Sequence, residues 1–164
     1  TLLASSAASD VYKRQLPKRA TMRAMNLLKS RPYTEYQLRQ KLSMGGYPQD
    51  AQEEAISYVK SYHYIDDRQY AMDYIEYHQE SKTKQKLLQS LMSKGLSKEL
   101  ILECFDEIVG DRKKELEEEQ ILKILRKKNY DPEQWTFEEK QRLMASLYRK
   151  GFSSELIHVH FYLT

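Results

Sequence analysis

The chain is poor in the residues that interrupt helices. It has 5 glycines and 4 prolines in 164 residues, while 31% of its residues are charged. That balance argues against a strand-rich fold and for long helices joined by short turns. The single cysteine, Cys104, excludes an intrachain disulfide and fits a reducing cytosol. It stands among Leu100, Ile101, Phe105 and Ile108, the setting of a buried, inert thiol. No apolar run approaches the roughly 20 residues a membrane helix needs, so no membrane partner is expected. Motifs of the GxGxxG, P-loop, GxSxG and CxxC types are also missing. His63, His78, His158 and His160 lack metal-ligand spacing, and His158 and His160 would point to different faces of a helix. The expectation is a protein without catalytic residues, metal or cofactor.

What the chain does contain is a repeated phrase. "LMSKGLSKELILECF", Leu91–Phe105, and "LYRKGFSSELIHVHF", Leu147–Phe161, share eight of fifteen residues without a gap. The shared residues include Gly95/Gly151 and Ser97/Ser153. A weaker copy, "LSMGGYPQDAQEEAI", puts Leu42 and Gly46 in the leucine and glycine slots. Each phrase reads as a joint: leucines end a helix, glycine takes the left-handed turn, and Ser, or Pro with a nearby Asp, starts the next helix.

Other boundaries are also legible. "PKRATMRAMNLLKS" carries Ala20, Ala24, Leu27 and Leu28 on one face and ends before Pro32. "TEYQ" at Thr34 and "TFEE" at Thr136 are capping boxes. Leu38 and Leu42 line the next helix, and Ile56, Val59 and Tyr62 form a stripe after it. Asp66 or Asp67 can cap a helix starting at "YIDDRQYA"; beside His63 the pair also imitates a metal cluster, but capping outweighs that reading. Asp131-Pro132 marks a turn, and "KKELEEEQ" reads as a solvated helix face. The expected fold is all-α, about nine helices in tandem three-helix repeats forming an elongated, curved array. Its repeats are set at residues 16–63, 64–110 and 111–164.

Residues 1–15 stand apart. "SSAASDVYKRQ", Ser5–Gln15, matches at all eleven residues the in-frame translation of a transposon-type sequencing adapter. We read 1–15 as an assembly scar and expect it to be disordered.

The net charge is +3, unevenly spread. Residues 16–62 hold eight Lys/Arg against four acids, 63–110 hold six against nine, and 111–164 hold eleven against ten. A basic front and an acidic middle suit a partner that is itself charged and uneven. Candidate contact residues are Lys18, Arg19, Arg23, Arg31, Arg39 and Lys41 at the front, Tyr64 among the 13 tyrosines, and Arg149 and Lys150 before the last joint. Tyrosines stack on bases or anchor protein interfaces, and i,i+4 pairs such as Tyr58/Tyr62 equally serve internal packing. Lys94 and Lys150 precede joint glycines, where a cation also serves the helix dipole; both roles stay open. Two function classes survive: a protein-binding regulator, and a helix-turn-helix DNA binder. No helix shows the dense Arg/Lys/Asn/Gln face of a recognition helix.

"RAMNLLKSRPYTEYQLRQKL", "SYHYIDDRQYA", "LLQSLMSKGLSKELI" and "LYRKGFSSELI" resemble the RecX regulatory proteins of bacterial recombination. The resemblance runs from Leu16 to the end and is strongest with members from anaerobic Gram-positive bacteria. Those members often carry an extra segment before the first repeat, the place the adapter-like residues occupy here. The resemblance implies tandem three-helix repeats. It also implies a cytoplasmic, monomeric, non-catalytic protein of recombination and DNA repair, linked to the SOS response. Such a protein modulates, usually inhibits, the RecA recombinase by binding in the groove of the RecA–DNA filament. Many members also bind single- or double-stranded DNA. The alternative is a helical DNA-binding protein acting without RecA.

Overall fold

The computed structural model describes residues 2–162, with side-chain surroundings from residue 7 onward. Among the described residues nine α-helices follow one another: α1 (Leu2–Ser30), α2 (Glu35–Met44), α3 (Gln49–Ser61), α4 (Asp67–His78), α5 (Lys84–Ser93), α6 (Lys98–Val109), α7 (Lys113–Lys127), α8 (Phe137–Arg149) and α9 (Ser154–Tyr162). A 3₁₀ turn, Gly110–Arg112, leads into α7. The described residues contain no strand, and none of their helices is long and apolar enough to cross a membrane.

Contacts divide the chain into two compact units. The first runs to Ala71 and takes in Ser93–Ser97; the second comprises Met72–Met92 and the chain from Lys98. In the first, Ala20 and Ala24 of α1 are fully buried against Ala51, Ala55, Ile56 and Val59 of α3, with Leu38 and Leu42 of α2 closing the core. Alanines facing alanines let α1 and α3 approach closely. In the second, Ile121 and Leu125 of α7 meet Leu143, Met144 and Leu147 of α8 and Leu156 and Ile157 of α9. Cys104 is buried, as its neighbours predict.

The capping boxes at Thr34 and Thr136 are both formed. The three joint glycines share one backbone conformation, φ +83° at Gly46, +87° at Gly95 and +86° at Gly151. After α2 and α8 the closing bonds are those of a Schellman turn: Tyr47 N–H to the Leu42 carbonyl (3.2 Å) and Phe152 N–H to the Leu147 carbonyl (3.3 Å). Ser153 caps α9, accepting from the Leu156 N–H at 3.4 Å.

Three expectations change. Residues 2–15, expected to be disordered, continue α1 as helix. Extending an existing helix costs little per residue, and no glycine or proline intervenes before Pro17. The extension from Ala7 to Gln15 is exposed throughout. Tyr62, placed on the stripe of α3, is instead 58% exposed, because α3 stops at Ser61 and His63 turns the chain at φ +56°. Ile65 fills the core position instead. The "KKELEEEQ" face is not wholly solvated: the Glu117 carboxylate accepts from the Ser153 N–H, and Lys114 lies 3.4 Å from Glu155.

Candidate functional site

Charged and aromatic side chains are exposed in both units, and the first set belongs to the unit built on α1–α3. Lys18, Arg19 and Arg23 are exposed along α1, with the Arg19 guanidinium 5.4 Å above the Tyr12 ring. Arg31, just past α1, lies 3.9 Å over Tyr33, which holds its charge at the surface. Lys41 is exposed on α2. Arg39 is engaged internally. It reaches Glu53 with two bonds of 2.6 and 3.2 Å and approaches Glu35 at 3.6 Å. That pairing raises the Arg39 pKa, the Glu53 hydrogen bond leading, and lowers that of Glu53. Tyr64 is half exposed and stacks on Tyr62 at 5.8 Å, and Tyr62 in turn meets Tyr58 at 4.9 Å, a short aromatic ladder on the surface.

The turn before α4 is structural. Asp66 caps α4, accepting from the Gln69 N–H at 3.1 Å. Asp67 instead accepts from the Glu35 N–H at 2.9 Å, satisfying the first turn of α2. Burial pushes the Asp67 carboxyl above the ordinary aspartate range. His63 is the left-handed residue of this turn, and no group of potential metal ligands forms among the described residues.

The joints dock by a recurring rule. Thr34, fully buried, accepts from the Gln37 N–H and donates its hydroxyl to the Lys94 carbonyl at 2.6 Å. Two residues on, Tyr36 packs against Gly95 so closely that a Cβ there would lie 2.2 Å from Tyr36 Cβ. In the second unit Thr83 caps α5, and Gln85, again two residues on, lies against Gly151, 3.4 Å from where a Cβ would be. Each of these joints seats on the N-terminus of an earlier helix. Ser97 stands just before α6.

The second set lines a groove of about 310 Å³ in the second unit. Gln120 of α7 donates to the carbonyls of Gln79 and Lys82 at 3.0 and 2.9 Å, pinning the α4–α5 turn beside α7. Lys86 of α5, Lys123 and Lys127 of α7 and Lys150 of the last joint then line one opening, with Ile124 between them. Burial first, and then Lys86, Lys128 and Lys127, hold the Lys150 ammonium below the usual lysine range. Of the predicted cations, the structure therefore gathers Lys150 into a cluster, while Arg149 is exposed on α8. Lys86, Lys123 and Lys127 are not among the predicted site residues. Lys86 ends the alternating "SKTKQK" of Ser81–Lys86, a basic run inside a net acidic segment, whereas Lys123 and Lys127 carry no comparable local signal.

A helical-repeat protein with exposed charged and aromatic side chains is what this fold defines. Residues 20–58 match the family model of the RecX first three-helix domain, and residues 115–158 match that of the third. Regulatory protein RecX of Caldanaerobacter subterraneus subsp. tengcongensis is 32% identical over 148 residues, covering 90% of this chain and 71% of its own length. One from Clostridium botulinum is 33% identical over 128 residues, and the match takes in 76% of this chain and 58% of that protein. The chain thus spans little more than half the length of some curated relatives. A crystal structure of regulatory protein RecX superposes with a TM-score of 0.78 at 21% identity, covering 98% of this chain and 78% of that one. RecX from Lactobacillus salivarius gives 0.74 at 19%, covering 92% and 99%. The chain belongs to the RecX family of regulatory proteins.

Proposed function

We propose that this protein is a non-catalytic regulator that binds the RecA–DNA filament and inhibits RecA in recombination and DNA repair, acting in the cytoplasm as a monomer. The observation that carries the reading is the match to a regulatory protein RecX over 90% of this chain, with the first and third three-helix domains both matched. The surface chemistry supports it. Arg23, Arg31 and Lys41 are exposed and form no ion pair among the described residues, and the same unit exposes Tyr36, Tyr58, Tyr62 and Tyr64, the residue types of an interface with an acidic or phosphate-bearing partner.

The test is RecA ATPase on single-stranded DNA with and without the protein. Inhibition that saturates with added protein is the expected result. ATPase unchanged at saturating protein, together with binding of free duplex in the absence of RecA, would move the assignment to a DNA-binding protein acting alone.

A further inference from the structure

We propose that a cavity of about 50 Å³ between the start of α5, α7 and the last joint binds a small monovalent inorganic anion of the chloride class. The inference does not rest on the RecA reading and concerns a site within the second unit, not a surface for a macromolecule. Phe105, Leu116 and Phe152, all buried, give the cavity its apolar wall. Four lysines line it, Lys82, Lys84, Lys113 and Lys150, against one carboxylate, that of Glu117. Glu117 is already committed, accepting from the Ser153 N–H. Lys82 is committed too, donating to the Tyr74 hydroxyl at 2.7 Å. Lys84 and Lys113 are the pair left over. Lys84 is half-buried, its ammonium 5.1 Å over the Phe105 ring, and it forms no ion pair among the described residues. Burial first, and then contact with Lys113, push the Lys84 ammonium below the usual lysine range. Lys113 meets only Asp106, at 4.0 Å between two exposed side chains, a weak pairing. Two cations held together in a partly dry site repel one another, and an anion between them removes the repulsion.

Size and charge select the ion. The cavity has room for one or two waters, each taking about 30 Å³ in the liquid. A halide is little larger than water and fits, whereas a tetrahedral oxyanion, with its five heavy atoms, does not. Glu117 in the lining repels a dianion twice as strongly as a monoanion. Neutral donors complete the site. The Thr83 hydroxyl accepts from the Lys86 N–H and keeps its own proton for the ion. The Lys84 and Gln85 amides, in the first turn of α5, have no carbonyl within their own helix. An ion held there ties α5 to α7 and to the joint at Gly151, so chloride stabilises the second unit.

The experiment is thermal melting of the full chain in sodium chloride and in sodium gluconate at equal ionic strength, together with the NMR line width of chloride in the presence of the protein. RecA and DNA are absent throughout, so failure here is separate from failure of the ATPase test. Chloride should raise the melting temperature by several degrees over gluconate, and the increment should grow with the logarithm of concentration once the site is filled. In the variant Lys84→Gln/Lys113→Gln the increment should vanish, and with it the excess chloride line width. In gluconate that variant should melt at or above the parent, because the repulsion is gone. If the double variant does not fold, Lys113→Gln is read alone, at an exposed position, and should at least halve the increment. Equal melting in the two salts, or an increment that the variant keeps, would overturn the proposal. So would an increment from inorganic phosphate or sulfate, lost in the variant, with none from chloride, which would assign the cavity to an oxyanion.

Discussion

Gly95 and Gly151 share a sequence phrase and a left-handed backbone, yet they tolerate a side chain differently. A methyl group at Gly95 would overlap Tyr36, whereas at Gly151 it would make ordinary contact with Gln85, and at Gly46 it would meet nothing within 4 Å. All three alanine variants incur roughly 1–2 kcal/mol for left-handed geometry. Gly95→Ala adds an overpacking cost of about 1–3 kcal/mol. Urea denaturation should therefore rank Gly95→Ala well below the other two, which should lie close together. Equal destabilisation of all three would mean that the joint does not seat on Tyr36. Thr34 invites a paired test at the same contact. Thr34→Ala loses the cap, about 1 kcal/mol, and also the donor to the partly buried Lys94 carbonyl. Thr34→Ser keeps both bonds and should melt near the parent.

Among the elements, α1 joins two stretches of different character at Pro17, which cannot donate to the Lys13 carbonyl. Residues 7–15 bury nothing, so deletion of residues 1–15 should leave the melting temperature within a degree or so; a fall of several degrees would show that the extension packs on the core. The starts of α2 and α4 are tied by Asp67, whose carboxyl is raised chiefly by burial. A raised carboxyl favours the protonated native state. Its stabilising contribution is full below the unfolded aspartate pKa and is lost as pH rises through the folded one. Asp67→Asn retains an acceptor for the Glu35 N–H without the buried charge. It should equal or exceed the parent in stability at pH 7, with the difference shrinking as the pH falls to the ordinary aspartate range.

For the molecule as a whole, the basic front and the RecA reading make a joint demand. The variant Arg23→Glu/Arg31→Glu/Lys41→Glu should weaken inhibition of RecA ATPase severalfold while circular dichroism keeps its helical signal. Arg39 is left out because its loss would break the pairing with Glu53. Capture of RecA filaments should persist at salt where binding to free DNA has vanished, since counterion release penalises the DNA term most steeply. Inhibition unaltered by the triple change would place the RecA contact on another surface.

Helix existence, the two capping boxes and the joint glycines were legible in the chain, because a cap or a left-handed turn is decided within four or five residues by local hydrogen bonds. The leucine and alanine stripes were equally legible, since helical period alone selects the buried face. Tertiary packing decided the rest. Asp67 was recognisable as a cap, but that it serves α2 across 32 residues follows from how α4 starts beside α2. Lys86, Lys123, Lys127 and Lys150 form no local pattern together, and only the pinning of the α4–α5 turn to α7 by Gln120 makes them neighbours. Arg39 looked the same in sequence as Arg23, and the difference is a glutamate 14 residues away on the next helix. A sequence displays which residues carry charge; whether that charge is neutralised inside the protein or left for a partner depends on which distant side chains the packed helices bring within about 4 Å.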